Sequence, residues 1–415
     1  MEAMRHSTGE QTNSQVAGLS KGLRRLLLLD ALILLVVATV IYFERSSLKT
    51  VSEFEFSERT ASPYDIFSIL SPDTKIIAAG SESAREINLR KTSNGEVLRH
   101  PPLDTSKTRI DFWNGVLFSP DNQFIAVSDI GMQHIYSEGS RIELFSVASG
   151  DLVCSIQLQH TASYFAISPQ GDQVAVFERE REWVRGGGSE TKVRVSFWGV
   201  PEGKRMFTLP IPEQSKIEPM FAYAPDGESL AVGHSDGTIS LWQLPEAQCI
   251  RVFRGPTEPV SLIAFSPGGD IMASVHSEGA IALWRVSDGT LIDVIKSKSN
   301  IAQIVFSPKG ALLAAYSMGE HRAESTIWVW RLPDSRLVAS RTWHNWEVHS
   351  LAFASDNELL AVGRITRQPR PAWVLFLEDW LDKIFRRRPA EPPMDHCGCF
   401  AIRFSIQKMR VRGSR

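Results

Sequence analysis

The stretch Phe306-Ser307-Pro308-Lys309-Gly310, running into Ala311-Leu312-Leu313-Ala314, recurs along the whole chain and limits what it can become. Phe265-Ser266-Pro267 precedes Gly268-Gly269 and Ile271-Met272-Ala273, and Phe118-Ser119-Pro120-Asp121 precedes Phe124-Ile125-Ala126-Val127. Looser copies are Leu70-Ser71-Pro72-Asp73, Ile167-Ser168-Pro169-Gln170, Tyr223-Ala224-Pro225-Asp226-Gly227 and Phe353-Ala354-Ser355-Asp356. Their spacing of roughly 41–56 residues is the period of propeller blades rather than of helical solenoids. In each copy an apolar strand ends, Ser-Pro-x-Gly turns the chain, and an apolar run returns. Proline has no N–H and a fixed φ, so it belongs in the turn and outside the ladder. A third strand follows, as at Ile239, Leu241 and Ile281, Leu283; a fourth follows a second turn, as Ser287-Asp288-Gly289-Thr290 leads into Leu291–Ile295. Four short antiparallel strands make one blade.

The third strands end in Ser240-Leu241-Trp242, Ala282-Leu283-Trp284 and Trp328-Val329-Trp330, and one is preceded by the hairpin Ser235-Asp236-Gly237-Thr238. In these features the chain resembles the WD40-repeat family over about residues 53 to 377. The resemblance implies a closed propeller that acts through protein recognition. It departs from the family after each Trp, where Gln243, Arg285, Arg331 and Gly199 stand instead of Asp. Other units carry Arg90, Phe145 and Leu375 at the Trp position, so the family's Asp-His-Ser/Thr-Trp hydrogen-bonded tetrad is not expected in any unit.

The expected fold is therefore all-β: a seven-bladed WD40-like β-propeller preceded by a single transmembrane helix. Residues 1–22 form a polar tail, 23–45 an anchor, 46–377 the propeller and 378–415 a basic, amphipathic tail. The anchor rests on the apolar run Leu26 to Phe43, just long enough to span a bilayer. It exceeds a signal-peptide core, and no cleavage site follows. Arg5, Lys21, Arg24 and Arg25 before it outnumber Arg45 and Lys49 after it, which places the N-terminus in the cytoplasm and the propeller on the extracytoplasmic side of the cell membrane. Asp30 is read as reaching the headgroups near Arg25, and alternatively as a contact between membrane helices.

Val51–Phe56 alternates like a strand and stands in fourth-strand register with no unit before it. The last unit, through Trp373–Leu377, lacks a fourth strand. Residues 53–58 are thus expected to complete the last blade and close the ring, with Phe400–Ile406 as the rival strand. Trp380, Leu381, Ile384 and Phe385, ahead of Arg386-Arg387-Arg388, suit a helix that lies on an anionic membrane surface or caps the ring.

A net charge of −2 argues against bulk attraction to nucleic acid. Four cysteines make no disulfide framework. Gly233-His234-Ser235-Asp236-Gly237 fits G-x-S-x-G, but that elbow needs a helix after it and here a strand follows. The register recurs at His276-Ser277-Glu278-Gly279, which marks a structural hairpin. Gly186-Gly187-Gly188 lacks the Lys-Ser/Thr and helix of a phosphate loop. His396-Cys397-Gly398-Cys399 holds soft ligands, yet lacks the usual spacing and a second ligand pair; pairing between chains is the competing fate. No catalytic residue, metal, cofactor or small-molecule substrate is expected.

What remains is surface recognition by a protein partner of unknown identity. The loops between second and third strands open on one face, and several are long. They carry His134 and Tyr136, then Arg181, Trp183 and Arg185, then His321 and Arg322, then Arg367 and Arg370. Exposed Arg, Tyr and Trp suit binding hot spots, and long loops on a rigid frame commonly carry binding. The competing reading is a propeller enzyme, hydrolase or quinoprotein-like, with titratable groups lining the central channel. The inner strands Ser261–Ala264 and Ala302–Val305 are largely small and apolar, which disfavours it.

Overall fold

In the computed structural model, described residues are 48–60, 66–81, 86–102, 115–128, 140–184, 188–211, 220–297, 299–318, 324–344, 346–365 and 400–411. All regular structure among them is β, apart from a single 3-10 turn at Ser277–Gly279.

Six blades are each built from four consecutive strands. Blade 1 comprises β2 (Ile66–Leu70), β3 (Ile76–Ser81), β4 (Glu86–Lys91) and β5 (Val97–Arg99). Blade 2 comprises β6 (Val116–Phe118), β7 (Phe124–Ser128), β8 (Arg141–Ser146) and β9 (Leu152–Gln157). Blade 3 has longer strands: β10 (Thr161–Ile167), β11 (Gln173–Val184), β12 (Gly188–Gly199) and β13 (Arg205–Pro210). Blade 4 is β14 (Phe221–Tyr223), β15 (Ser229–Gly233), β16 (Ile239–Gln243) and β17 (Gln248–Phe253). Blade 5 is β18 (Val260–Phe265), β19 (Ile271–His276), β20 (Ala280–Arg285) and β21 (Leu291–Lys296). Blade 6 is β22 (Ile301–Phe306), β23 (Leu312–Met318), β24 (Ser325–Arg331) and β25 (Arg336–Trp343).

A composite four-stranded sheet fills the remaining gap, in the order β26 (Trp346–Ser355), β27 (Glu358–Ile365), β28 (Phe400–Val411), β1 (Leu48–Thr60). The expectation of seven like blades behind a membrane helix is corrected on two counts. Six blades are contiguous repeats, whereas this sheet is stitched from distant parts of the chain. No helix among the described residues is long and apolar enough to cross a membrane, so nothing in the structure supports a single-pass anchor or an extracytoplasmic propeller. The expected anchor at 23–45, with Leu26 and Phe43, lies outside the described residues, as do Trp373–Leu377, the 378–399 segment and its Cys397 and Cys399.

β1 and β28 are not rivals for one slot. β28 lies between β27 and β1, with Val362 opposite Ile406 and Phe54 opposite the other side of that same residue. Both chain ends are needed because β27 has no neighbouring third strand of its own among the described residues.

The second strands are rich in consecutive apolar residues because both their faces are covered. In β15, Leu230 and Val232 pack with Phe197 and Leu209 of blade 3, while Ala231 packs with Met272 and Trp284 of blade 5. A cluster of this kind sits between every adjacent pair of sheets. The last joins Leu70, Ile77 and Ala79 of blade 1 to Ala352, Leu360 and Val362 of the composite sheet, and so closes the ring.

The Ser-Pro turns have a common geometry. The serine carbonyl accepts from the amide three residues on: Gly171 to Ser168 at 3.0 Å, Gly269 to Ser266 at 2.8 Å, Gly310 to Ser307 at 2.8 Å. The buried serine hydroxyl accepts from the amide five residues on, as Leu312 N does at 3.1 Å and Ile271 N at 3.0 Å. In the six contiguous blades the third residue after the first turn residue, a serine or Ala224, is left-handed, at Thr74, Asn122, Gly171, Gly227, Gly269 and Gly310. Each turn leans on its neighbour: Gly269 faces Pro225, Gly310 faces Ser266 and Pro267, and Asp73 N donates to Asn122 Oδ1 at 3.0 Å. The recurrent proline is thus a contact surface as well as a turn-former.

A register feature not visible in the sequence recurs between third and fourth strands. A bulge follows Leu89, Leu144, Phe197, Leu241, Leu283 and Val329, beside Arg90, Phe145, Trp198, Trp242, Trp284 and Trp330. Bulges increase local twist and bend the bulged strand, here the outermost one.

Two glycines separate conformational strain from collision. Gly310 (φ +72°) has room for a Cβ, with its nearest neighbour 3.6 Å away, so Gly310→Ala is expected to lower stability by about 1 kcal/mol through strain alone. At Gly279 (φ +84°) a Cβ would lie 2.2 Å from the Ser299 carbonyl oxygen, so Gly279→Ala is expected to cost several times more. Urea-denaturation midpoints of the two variants check this; equal losses would refute it.

Candidate interaction face

Counting ten residues from the first residue of each a-to-b turn lands on Ser81, Asp129, Glu178, His234, His276, Ser317 and Arg364. The seven are polar without exception, although the strands leading to them are apolar. Ser81, His234, His276, Ser317 and Arg364 stand at the end of a second strand or one residue from it, whereas Glu178 lies inside β11, which runs on to Val184. Turn-to-turn spacing varies through loop length, but this inner distance is constant because the same short run of chain separates the two points. Asp129 lies outside the described residues. Among the others, four are locked by different chemistry.

In blade 5, Trp284 is fully buried and its indole N–H donates to Ser274 Oγ at 2.9 Å. Ser274 Oγ is 2.9 Å from His276 Nε2, and His276 Nδ1 is 2.9 Å from the Glu258 carbonyl oxygen. The indole is donor only, so the serine oxygen accepts from it and the hydroxyl proton goes to Nε2. His276 must then carry its proton on Nδ1 and donate to Glu258, which fixes a neutral imidazole in one tautomer. Burial lowers its pKa.

Blade 4 builds a similar network from other positions. Trp242 Nε1–H donates to Ser240 Oγ at 2.7 Å, and that oxygen is 2.7 Å from His234 Nε2. Burial lowers the pKa of His234, opposed by the carboxylate of Asp236. Asp236 itself accepts from Thr238 N at 3.0 Å and Thr238 Oγ1 at 2.6 Å. From the sequence no four-membered tetrad is expected; what assembles in both blades is a three-membered His–Ser–Trp network. Asp is missing after Trp, but the network does not use that residue. The recurring His at one register was the available signal. Ser235, in the G-x-S-x-G stretch, stands in the tight turn closed by His234 N to Thr238 O at 2.9 Å, so it is a hairpin residue.

In blade 3, Glu178 replaces the histidine. It is 1% exposed, and Arg194 spans it and Glu180, with Nη2 3.4 Å from Glu178 Oε2 and Nη1 2.9 Å from Glu180 Oε2. His160 Nε2 lies 3.9 Å from Glu180. Arg364 holds the same place in the composite sheet and pairs with buried Glu347 directly across the ladder.

His349 is the bulged residue of β26 and ties three sheets together. Its Nδ1 is 3.1 Å from Ser68 Oγ of blade 1, and its carbonyl accepts the Tyr316 hydroxyl of blade 6 at 2.8 Å. Burial, together with the Arg364 guanidinium, brings its pKa down to about 3. Ser68 beside a neutral histidine has the look of a nucleophile and base. Ser68 is fully buried, however, and no carbonyl substrate can approach its oxygen.

Of the nine residues expected to bind a partner, His134, Tyr136, Arg185, His321, Arg322, Arg367 and Arg370 lie outside the described residues. Arg181 and Trp183 lie in β11, opposite Thr191 and Ser189 of β12. Their ladder runs past the end of its neighbours: β10 pairs β11 only as far as Arg179, and β13 pairs β12 only as far as Arg194. Rows Glu180–Lys192 through Val184–Gly188 therefore stand as a two-stranded ribbon at the hairpin end of blade 3. Among the described residues, the large apolar side chains that are exposed, including Met206 and Leu337, lie on outermost strands.

The family model described as WD domain, G-beta repeat matches residues 221–243 and 247–285. These stretches hold both His–Ser–Trp networks. The molecule is a β-propeller with WD40 repeats. A relative, Periodic tryptophan protein 2 homolog of Dictyostelium discoideum, is 27% identical over 202 residues, which is 47% of this chain and 21% of that protein. The chain thus aligns with about a fifth of its relative. Trp198, Trp242, Trp284 and Trp330 recur at the same bulged position in blades 3 to 6, and Trp242 and Trp284 fall within the matched stretches.

Ser274→Ala strands both the Trp284 N–H and His276 Nε2, and each buried group left unpaired costs about 1–3 kcal/mol. The urea midpoint is expected to drop accordingly, whereas Trp284→Phe, which leaves Ser274 its other partner, is expected to cost less in hydrogen bonding. Acid should act on the same networks. His234, His276 and His349 have folded pKa values below the ordinary 6.5, so the unfolded chain takes up more protons. Their contribution is full above that value and is lost as pH falls below it, at up to about 1.4 kcal/mol per pH unit for each histidine. Denaturation midpoints from pH 8 to pH 4 are expected to fall, and less steeply in His276→Gln; an unchanged slope would refute the assignment.

Proposed function

We propose that this WD40 propeller is a non-enzymatic scaffold that binds a protein partner on the face where second strands turn into third strands. The observation that carries this reading is the blade 3 ribbon, a projecting element rooted in a buried ion-pair cluster rather than a loose insertion. Scaffold action fits the way the titratable groups beneath that face are spent. His234, His276, Glu178 and Arg364 are each committed to a partner inside the protein, and such networks hold the ring in one shape. WD40 propellers generally bind proteins, which supports the same reading. The same proposal extends to the long-loop residues His134, Tyr136, Arg322, Arg367 and Arg370.

Two variants of the full chain divide the face. One carries Arg181→Glu with Trp183→Ala on the ribbon; the other carries His134→Ala, Arg322→Glu and Arg367→Glu on neighbouring loops. Affinity capture followed by quantitative comparison is expected to show partner recovery reduced several-fold in at least one. Undiminished recovery in both, with unchanged unfolding midpoints, would refute the face as the binding surface.

A further inference from the structure

We propose that β17, the outer strand of blade 4, docks an extended acidic and apolar segment of a protein partner by taking it on as a fifth strand. This surface is separate from the hairpin face proposed above, and the two can fail independently.

The fourth strands of the six blades form the outer wall of the ring, and their composition sets that wall apart. Together β5, β9, β13, β17, β21 and β25 hold six Lys or Arg residues against one carboxylate, Asp293, in a chain whose net charge is −2. The exposed large apolar side chains of the described residues lie on the same wall. Charge of one sign and apolar surface therefore coincide there. Among these strands β17 alone carries two such side chains, with Ile250 at 46% and Val252 at 43% exposure.

Three features converge on this strand. β17 is hydrogen-bonded to β16 on one side and, among the described residues, to no strand on the other, so a row of its backbone N–H and C=O groups is open. Ile250 and Val252 are exposed, whereas Phe253 between Val252 and the end of the strand is fully buried and anchors it to the core. Arg254 follows the strand directly and is exposed, and neither it nor Arg251 has an ion-pair partner among the described residues. The Arg251 stem rests against the third-to-fourth-strand turn of blade 5, where a Cβ on Gly289 would lie 3.1 Å from its Cδ. Other outer strands lack the combination: β9 has no charge, and β21 places Asp293 mid-strand.

An added strand gains affinity from main-chain hydrogen bonds and specificity from its alternate side chains. Apolar residues of the segment cover Ile250 and Val252, and its carboxylates meet the two guanidiniums in the fork geometry that suits them. Nucleic acid has no amide backbone with which to continue the ladder. A second copy of β17 is the less suitable strand. Self-pairing brings arginines together with no carboxylate in either strand, and like charges opposite each other destabilise a ladder. The bulge at Ile250, opposite the step from Leu241 to Trp242, leaves a short regular edge, so binding is expected to be weak and quickly reversible.

The test uses the whole chain and fluorescence anisotropy. Probes are a fluorescein-labelled ten-residue peptide alternating Glu with Val, the same peptide with Gln for Glu, and the acidic peptide with every amide N-methylated. The acidic peptide is expected to bind with an affinity that falls as salt rises. The Gln peptide is expected to bind at least fivefold more weakly, and the N-methylated one at least tenfold. Val252→Glu and Arg254→Glu are each expected to weaken the acidic peptide at least fivefold, while Leu337→Glu on β25 stays within twofold. Val252→Ser and Arg254→Gln, measured alongside urea midpoints, cover the case in which an introduced charge disturbs folding. No binding of the acidic peptide, equal binding of the Gln or N-methylated peptide, indifference to Val252 and Arg254, or an equal loss in Leu337→Glu would each overturn the proposal. Sedimentation velocity checks the other occupant: a concentration-dependent dimer that Val252→Glu dissolves would assign the edge to a second copy and overturn the proposal as well.

Discussion

A four-stranded sheet of five- or six-residue strands has two apolar faces and no means of covering either by itself. Everything in this molecule follows from that constraint. Leu230 and Val232 need blade 3, and Ala231 one step away needs blade 5, so no blade is stable without both neighbours. Such an array must either expose its end faces or bend round until the first meets the last. Here Leu70 and Ile77 meet Leu360 and Val362, and the chain takes the second course. The turns reinforce this at one end of the blades, where each proline or serine supports the next glycine. Buried polar groups do so at the other end.

The buried polar position gives the ring a graded chemistry on a uniform frame. The same backbone site holds His in blades 4 and 5, Glu in blade 3 and Arg in the composite sheet, and each brings its own partner. Such networks are costly when half satisfied and rigid when complete. Blade 3 shows both conditions: Arg194 satisfies one oxygen of Glu178, while Glu178 Oε1, Ser196 Oγ and Trp198 Nε1 have no hydrogen-bond partner among the described residues. Blade 3, with these unpaired groups inside it, also has the longest second-to-third-strand ladder among the described residues. The orphaned Trp198 and Ser196 have the same spacing as Trp242 and Ser240, which are bonded, so spacing alone does not assemble the network.

Much of the architecture was legible because the repeat is written in turn residues. The Ser-Pro turns mark where second strands begin, and among the described residues those read at the Trp position, including Arg90 and Phe145, stand beside the outer-strand bulge. The bulge itself left no trace, since it depends on cross-strand pairing rather than on residue type. The final sheet was hard to read for another reason. Phe400–Ile406 and Glu53–Phe56 alternate equally well, and alternation says that a segment is a strand without saying which neighbour it takes. The histidine networks are not legible from the residue after Trp, which takes no part in them. The signal lay ten residues after each turn, at a place where a polar residue interrupts an otherwise apolar strand.

The composite sheet carries a consequence for biosynthesis. β28 is held on one edge by β27 and on the other by β1, so the earliest strand and the latest strand of the described chain become partners. During translation the first of them leaves the ribosome with no mate and must wait while six blades are made. Until residues 400–411 emerge, the growing arc keeps two raw flanks, and a chaperone able to shield them would find its task finished only at the end of synthesis.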